Sequence, residues 1–269
     1  MRYVTNITLL LLLSIALPAA VHAQETPDRE VPAPGGTSRE GQDRVQRPVA
    51  PEVRTRWLPL GDDSMRIEYA LPREAGRPAV IVLGDRYGPQ ENVSSTLKVL
   101  AVLGFRAHAL PLRSAPETPF SSVPAAAIDS ADIARVTRAA VDIANEDGCD
   151  GRLFLLAYDV GADIAIEVIA RFPFYKGAAL FYPTGGLTAL RRLLDAQCRF
   201  QLHVAQFDPA CSITDVNELR EIFIEQKKRL HVFYYKEARR FFFNPEHPDY
   251  HKNNTQKAWN QINKFFRYP

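Results

Sequence analysis

Residues 152–169 read RLFLLAYDVGADIAIEVI, and this stretch decides the fold. Its first six residues, 152–157, form a largely apolar run of the length expected for a strand that is buried on both faces. A helix is predicted over 161–171. The five residues 157–161 connect the two through a sharp turn with a small residue at each end. This is the layout of a nucleophile elbow, whose usual pattern is G-x-S-x-G, but the central residue here is Asp159.

The same alternation of strand and helix continues on both sides of this stretch. Strands that alternate with helices pair in parallel through right-handed crossovers, which places helices on both faces of the sheet. We therefore predict an α/β fold with a mostly parallel sheet of about seven strands. Ligands of such sheets bind beyond the carboxyl ends of the strands. The predicted strands cover 64–72, 78–84, 105–110, 152–157, 177–181, 201–207 and 230–235, and the predicted helices cover 92–103, 126–145, 161–171, 187–194, 214–226 and 254–266.

The N-terminal residues 1–23 carry the pattern of a secretory signal peptide. Arg2 precedes an apolar core, and the residues before position 24 suit cleavage after Ala23. The core is shorter than the ~20 residues of a spanning helix, so a membrane anchor is the weaker alternative. We expect export, periplasmic or secreted, with no stable membrane insertion after cleavage. Residues 24–52 are rich in Pro, Gly and charge and are predicted to be a disordered leader; the folded domain is expected over 53–269.

Composition excludes several classes of protein. The 269 residues include 33 Lys+Arg and 31 Asp+Glu, a net charge of +2, and 46% are hydrophobic. These values fit a globular domain and give no basic surface for nucleic acid. The sequence has no clustered Cys/His spacing and no glycine-rich phosphate loop, so we predict no metal and no cofactor.

The three cysteines are too few for a disulfide-built scaffold. After export, two of them can pair. Cys198 and Cys211, which bracket a predicted strand, are the first candidates, and three free thiols, with Cys149 included, are the alternative.

Four stretches of the chain resemble the dienelactone hydrolase family of α/β-hydrolases. They are EYALPREAGRPAVIVLGDRYGPQENV (68–93), LAVLGFRAHALPL (100–112), LFLLAYDVGADIAIEVI (153–169) and YYKEARRFFFNPEHPDYHKNNTQKAWNQINKFF (234–266). Their order and spacing cover nearly all of the predicted folded part. The resemblance implies an α/β-hydrolase-like fold and cleavage of a small ester or lactone by a triad of Cys or Ser, His and Asp.

The resemblance also assigns the triad positions in this chain. The nucleophile position holds Asp159. The acid position, in QFDPA after the strand at 201–207, holds Asp208. The histidine position, in the stretch ARRFF, holds Arg240. Arginine stays protonated and cannot accept the nucleophile's proton as histidine does, so the family's ordinary mechanism is unavailable.

Further site residues follow from the same comparison. Asp85, in GDRYG, matches the acidic residue of the family's early HE-x-x-G stretch, and Tyr158 precedes the elbow residue. Arg86 and Tyr87 are expected to line the mouth of the pocket, although a surface charge is the alternative for Arg86. A small anionic or ester ligand in this cleft is the expected partner.

Two carboxylates around one guanidinium are predicted to form a charge-assisted network, Asp159–Arg240–Asp208. The leading hypothesis is an exported pseudoenzyme that lacks ordinary esterase turnover and binds a ligand or a protein in the old cleft. The alternative is an active hydrolase that uses Asp159 as the nucleophile or a non-standard site. That alternative needs a histidine to activate water. The candidates are predicted to be structural or solvated: His108, His203, His231, His247 and His251.

Overall fold

Eight strands form a single sheet in the part of the chain that the structure describes. The computed structural model describes residues 51–85, 91–112 and 129–268. The strands are β1 (Arg54–Leu60), β2 (Asp63–Ala70), β3 (Arg77–Leu83), β4 (Arg106–Leu110), β5 (Cys149–Tyr158), β6 (Tyr175–Phe181), β7 (Arg199–Phe207) and β8 (His231–Arg239). The signal peptide and nearly all of the leader predicted above lie outside the described residues, as do Arg86 and Tyr87.

The sheet has the order β1-β2-β4-β3-β5-β6-β7-β8. The six strands from β4 to β8 in that order are parallel, and β1 and β2 pair antiparallel at one edge. This confirms the predicted mostly parallel α/β sheet. The predicted number of strands was one short because β1 was missed. Its alternation is weak, since Trp57 and Pro59 face solvent on an edge strand, where proline is tolerated.

Helices cover both faces, as predicted. They are α1 (Glu91–Val102), α2 (Ser130–Ala144), α3 (Val160–Arg171), α4 (Gly186–Arg191, continued by a 3₁₀ turn), α5 (Ile213–Glu225) and α6 (Lys252–Arg267). The apolar residues of α1 and α6 pack in one core, and those of α2 to α5 pack in a second core across the sheet. Residues of β3 alternate between the two: Val80 and Val82 face α1 and α6, while Ile81 and Leu83 face the other side. Among the described residues, no helix is long and apolar enough to cross a membrane.

The predicted pairing of Cys198 with Cys211 is wrong, because the structure has both as free thiols, together with Cys149. The reason is geometric. Cys198 precedes β7 and Cys211 follows it, so the whole nine-residue strand separates them. A strand rises about 3.3 Å per residue, which places its ends roughly 25–30 Å apart. A disulfide needs Cα atoms within about 7 Å. Bracketing a strand is therefore evidence against a bridge.

Candidate active site

The nucleophile elbow that the sequence predicted is present between β5 and α3. Asp159 occupies the turn with φ 53° and ψ −121°, a backbone conformation that non-glycine residues rarely adopt. Backbone hydrogen bonds hold it: the Asp159 N–H donates to the Phe181 carbonyl at 3.0 Å, and the Asp159 carbonyl accepts from the Ala162 N–H at 3.0 Å. The side chain that a hydrolase would present as its nucleophile is here a carboxylate at a strained, fully buried position.

Gly161 makes the close approach of the elbow to β3 possible. A Cβ atom at this residue would lie 2.4 Å from the Gly84 carbonyl oxygen and 2.7 Å from the Leu83 carbonyl oxygen. Both are backbone atoms, so they cannot move aside as a flexible side chain could. The small residue that the elbow pattern requires at this end of the turn therefore has a direct steric cause.

Arg240 lies between Asp159 and Asp208. Its Nη2 donates to Asp159 Oδ1 at 2.5 Å, and its Nη1 donates to Asp208 Oδ1 and Oδ2 at 2.9 and 3.1 Å. Two backbone carbonyls complete the set: Tyr182 accepts from Nη2 at 2.5 Å and Pro183 from Nη1 at 3.4 Å. The predicted three-residue network is thus present as geometry. Its four terminal N–H hydrogens face five acceptor atoms, and the remaining donor, the buried Nε–H, has no hydrogen-bond partner among the described residues.

The network is deeply buried, which sets its electrostatics. Asp159 is 0% exposed, Asp208 4% and Arg240 9%. Burial by itself lowers the pKa of Arg240, but the charges of Asp208 and Asp159 and their hydrogen bonds outweigh it and raise that pKa above its ordinary value. The guanidinium is therefore permanently charged and cannot accept a proton. Asp208 is fixed further by the N–H groups of Ala210 and Cys211, which donate to Oδ1 at 2.9 and 3.3 Å.

A bulge at the end of β8 carries Arg240 into this position. The pairing of β7 with β8 shifts between Ala205, which faces Tyr235, and Phe207, which faces Arg239. Glu237 has φ 61° within the shift, and its N–H donates to the Gln206 side chain at 2.8 Å. β8 consequently runs four residues beyond its predicted end at 235. Such bulges commonly redirect a side chain next to a functional site.

The two strand histidines that are buried lie in the core, as the sequence hypothesis expected. Nδ1 of His203 is 2.7 Å from the Tyr235 hydroxyl, and burial lowers the pKa of His203 to about 3. Burial and two nearby arginines lower the pKa of His108 to about 3.

The other three histidines are engaged or exposed elsewhere. His251 caps α6, His247 packs on Phe241, and His231 is exposed at the start of β8. The place beside the elbow carboxylate is taken by a guanidinium.

Two of the predicted ligand-contact residues can be placed. Asp85 is buried just beyond β3, and its Oδ2 accepts from the Asn244 side-chain amide at 3.4 Å. Tyr158 is buried with its ring centroid 5.5 Å from that of Phe243. Arg86 and Tyr87 lie outside the described residues. The roles of all four in ligand contact stay predictions.

Sequence reasoning missed two polar features of the site. The carbonyl of Tyr182, directly after β6, accepts a hydrogen bond from Arg240. Asp163, in the first turn of α3, accepts hydrogen bonds from the Thr184 N–H and hydroxyl and from the Gly185 N–H. Burial raises the pKa of Asp163, and these bonds oppose the shift. Tyr182 could have been found, because site residues of such sheets directly follow the ends of strands. Asp163 could not, because the sequence pattern does not distinguish it from any other acidic residue in the first turn of a helix.

The comparisons with known proteins agree with the fold. The model of the dienelactone hydrolase family matches residues 65–268. A dienelactone hydrolase structure from Klebsiella pneumoniae superposes with a TM-score of 0.69 at 19% identity, over 82% of this chain and 100% of that chain. A dienelactone-hydrolase-like promiscuous phosphotriesterase from metagenomic libraries gives 0.68 at 17%, over 81% and 98%. An esterase from Pyrobaculum calidifontis gives 0.61 at 20%, over 80% and 85%. No curated protein sequence matches the chain.

Proposed function

The chain belongs to the dienelactone hydrolase family, and from that premise we propose that it is a member without ordinary ester or lactone hydrolysis. One observation carries the proposal: the Arg240 guanidinium bridges the carboxylates of Asp159 and Asp208. A triad hydrolase needs a base that can take a proton from the nucleophile and later return it to the leaving group. A guanidinium with a raised pKa performs neither step.

The experiment is an assay with activated esters. Wild-type protein and the Asp159→Ala variant are incubated with p-nitrophenyl acetate, p-nitrophenyl butyrate and a nitrophenyl phosphotriester. The last substrate is included because a structural neighbour is described as a phosphotriesterase. We expect no release of p-nitrophenol above the rate without protein, and no difference between the two proteins. Turnover by wild type that Asp159→Ala abolishes would refute the proposal.

A second candidate is a hydrolase in which Asp159 attacks the substrate itself. The strained elbow favours it, because φ 53° places the residue as a nucleophile would be placed. Its Oδ1, however, accepts a hydrogen bond from Arg240 at 2.5 Å. The side chain of His203 contacts Tyr235 and that of His247 contacts Phe241, so both imidazoles are engaged with other residues. Attack of the Asp159 carboxylate on an ester carbonyl expels the alcohol and forms a mixed anhydride between Asp159 and the acyl group. Hydroxylamine captures such an anhydride in part as a hydroxamate of Asp159, so mass spectrometry of the peptide that contains Asp159 after turnover in hydroxylamine distinguishes the two proposals by this hydroxamate. We expect none.

In place of catalysis, we propose that the region beyond the carboxyl ends of the strands binds a small ester or lactone without cleaving it. The network of two carboxylates and one guanidinium carries more negative than positive charge, which favours a neutral ligand over an anion beside it. γ-Butyrolactone and butyrate are matched neutral and anionic probes. We expect saturation-transfer NMR signals from the lactone that exceed those from butyrate, and equal or reversed signals would argue against the neutral ligand.

Export is the remaining part of the proposal, supported by the pattern of residues 1–23. Expression of the full chain in a bacterium followed by intact-mass measurement tests it. We expect the mature protein in the cell envelope or medium, with Gln24 as its first residue. A cytoplasmic protein that retains residues 1–23 would exclude export.

A further inference from the structure

Two tyrosine hydroxyls are buried beside the elbow without a hydrogen-bonding partner among the described residues. They belong to Tyr158, the last residue of β5, and Tyr182, which follows β6. Tyr158 is 1% exposed and Tyr182 0%, and their rings lie 6.3 Å apart at an interplanar angle of 30°. Buried hydroxyls are rarely left unpaired, because they lose the hydrogen bonds that they make in water.

The sheet topology brings these hydroxyls to one place. β5 lies between β3 and β6, with Leu83 opposite Ala157 and Tyr158 opposite Phe181. The residues just beyond these strand ends are therefore neighbours. Tyr182 has φ 38°, which breaks the strand alternation, so its ring packs on the α1 and α6 side together with Tyr158.

The surroundings of the two hydroxyls are polar. Asp85 lies two residues beyond the end of β3, at the same edge of the sheet as Tyr158 and Tyr182. Burial raises the pKa of both phenols, and the charge of Asp85 adds to that rise. The Thr96 hydroxyl from α1 approaches Tyr158 without hydrogen-bonding geometry, and it opposes the rise of that pKa. Asn244 donates its side-chain amide to Asp85. The cluster therefore combines two unpaired donors with a carboxylate acceptor at the same edge of the sheet.

We propose that Tyr158, Tyr182 and Asp85 form a binding site for an internal water molecule. The water accepts one hydrogen bond from each phenol and donates one to the Asp85 carboxylate, with Thr96 in place for the fourth. Three to four partners are the number that buried waters normally have. The water would join the ends of β3, β5 and β6 beneath the elbow. This site is independent of hydrolysis, so its failure would leave the proposed function untouched.

Removal of single hydroxyls tests the site in the full-length mature protein. If a water pairs both phenols, Tyr158→Phe and Tyr182→Phe each raise the unfolding equilibrium constant about fivefold, the effect of one lost hydrogen bond. In the double variant the increase is well below the product, because both bonds share one water. Urea unfolding curves with unchanged slope measure these constants.

Tyr175→Phe is the matched control. Its hydroxyl is also buried and unpaired among the described residues, but it lies in the other core, where burial and Cys198 raise its pKa and no carboxylate contributes. We expect this variant to be as stable as wild type or more stable. If Tyr158→Phe and Tyr182→Phe behave like the control, the water site is refuted.

A crystal structure of the wild type decides the matter even if a variant fails to fold. We expect an electron-density peak about 2.7–2.8 Å from both hydroxyl oxygens. A direct hydrogen bond from either phenol to Asp85, or continuous apolar packing between the rings, would overturn the proposal.

Discussion

Replacing Arg240 by methionine removes the charge of the buried network while keeping an unbranched side chain of similar length. Asp159 and Asp208 are 0% and 4% exposed, so the substitution leaves two carboxylates without their shared cation at positions that are almost closed to bulk solvent. Breaking a buried ion pair by removing one partner costs about 3–5 kcal/mol. In a domain of this size each kcal/mol corresponds to about 2–4 °C in Tm. We therefore expect Arg240→Met to unfold about 10 °C below wild type.

The neighbouring arginine provides the control. Arg239 is exposed, and its Cζ atom lies 6.0 Å from the centroid of the Phe207 ring. It forms no ion pair with the described residues. A surface substitution of this kind changes stability by about 0.5 kcal/mol or less, so Arg239→Met should unfold close to wild type. Differential scanning calorimetry at neutral pH measures both. Equal Tm values for Arg240→Met and Arg239→Met would refute the claim that the network stabilises the fold.

A rescue distinguishes lost charge pairing from lost packing. Combining Arg240→Met with Asp159→Asn and Asp208→Asn replaces the two unpaired carboxylates by neutral amides of the same shape. Residues in one network are coupled rather than additive, so the triple variant should be more stable than Arg240→Met alone. A triple variant that is less stable than Arg240→Met would mean that the guanidinium acts mainly by filling space.

Three further predictions concern pH, the elbow and the thiols. The pKa of His203 is about 3 in the folded state and 6.5 in the unfolded state, so between these values only the unfolded state binds the additional proton. The free energy of unfolding should therefore fall as pH drops from about 6.5 towards 3, and it should fall less steeply in His203→Asn. Urea midpoints across this pH range measure the effect. Gly161→Ala should lower Tm sharply or prevent folding. Gly84→Ala should be tolerated, because its Cβ atom would meet only a side-chain atom at 3.7 Å. Equal Tm values for the two variants would contradict the steric explanation. Three thiols per chain should react with Ellman's reagent in denaturant without reductant, and only one reactive thiol would indicate a disulfide. In the native state the thiol of Cys211 should be protected, because it is buried and burial raises its pKa.

The alternation of strand and helix was sufficient to predict the sheet, because buried parallel strands are apolar throughout and stand out from amphipathic helices. It did not reveal β1, an edge strand whose exposed Trp57 and Pro59 hide the alternation. It also placed the end of β8 too early, since no local pattern announces the bulge at Glu237. At that bulge the Glu237 N–H donates a long-range hydrogen bond to the Gln206 side chain, and sequence periodicity carries no sign of such a contact.

The three residues of the buried network were predicted from the sequence, and their contacts were predicted only in part. Asp159, Asp208 and Arg240 were found because the resemblance to the dienelactone hydrolase family assigns the triad positions to them. The backbone acceptors of Arg240 on Tyr182 and Pro183 could not be found, because carbonyls carry no sequence signal. The disulfide hypothesis failed for a reason that the sequence did contain, since a strand between two cysteines holds them apart.

The central claim is that a guanidinium in the place of the proton-transferring base silences this hydrolase site. Ester hydrolysis measured side by side for wild type and for the Asp159→Cys/Arg240→His double variant tests it most directly, because the elbow, Gly161 and Asp208 remain while nucleophile and base return. We predict background rates of p-nitrophenyl acetate hydrolysis for wild type and for each single variant, and a rate above background for the double variant. A wild-type rate equal to or greater than that of the double variant would contradict the claim.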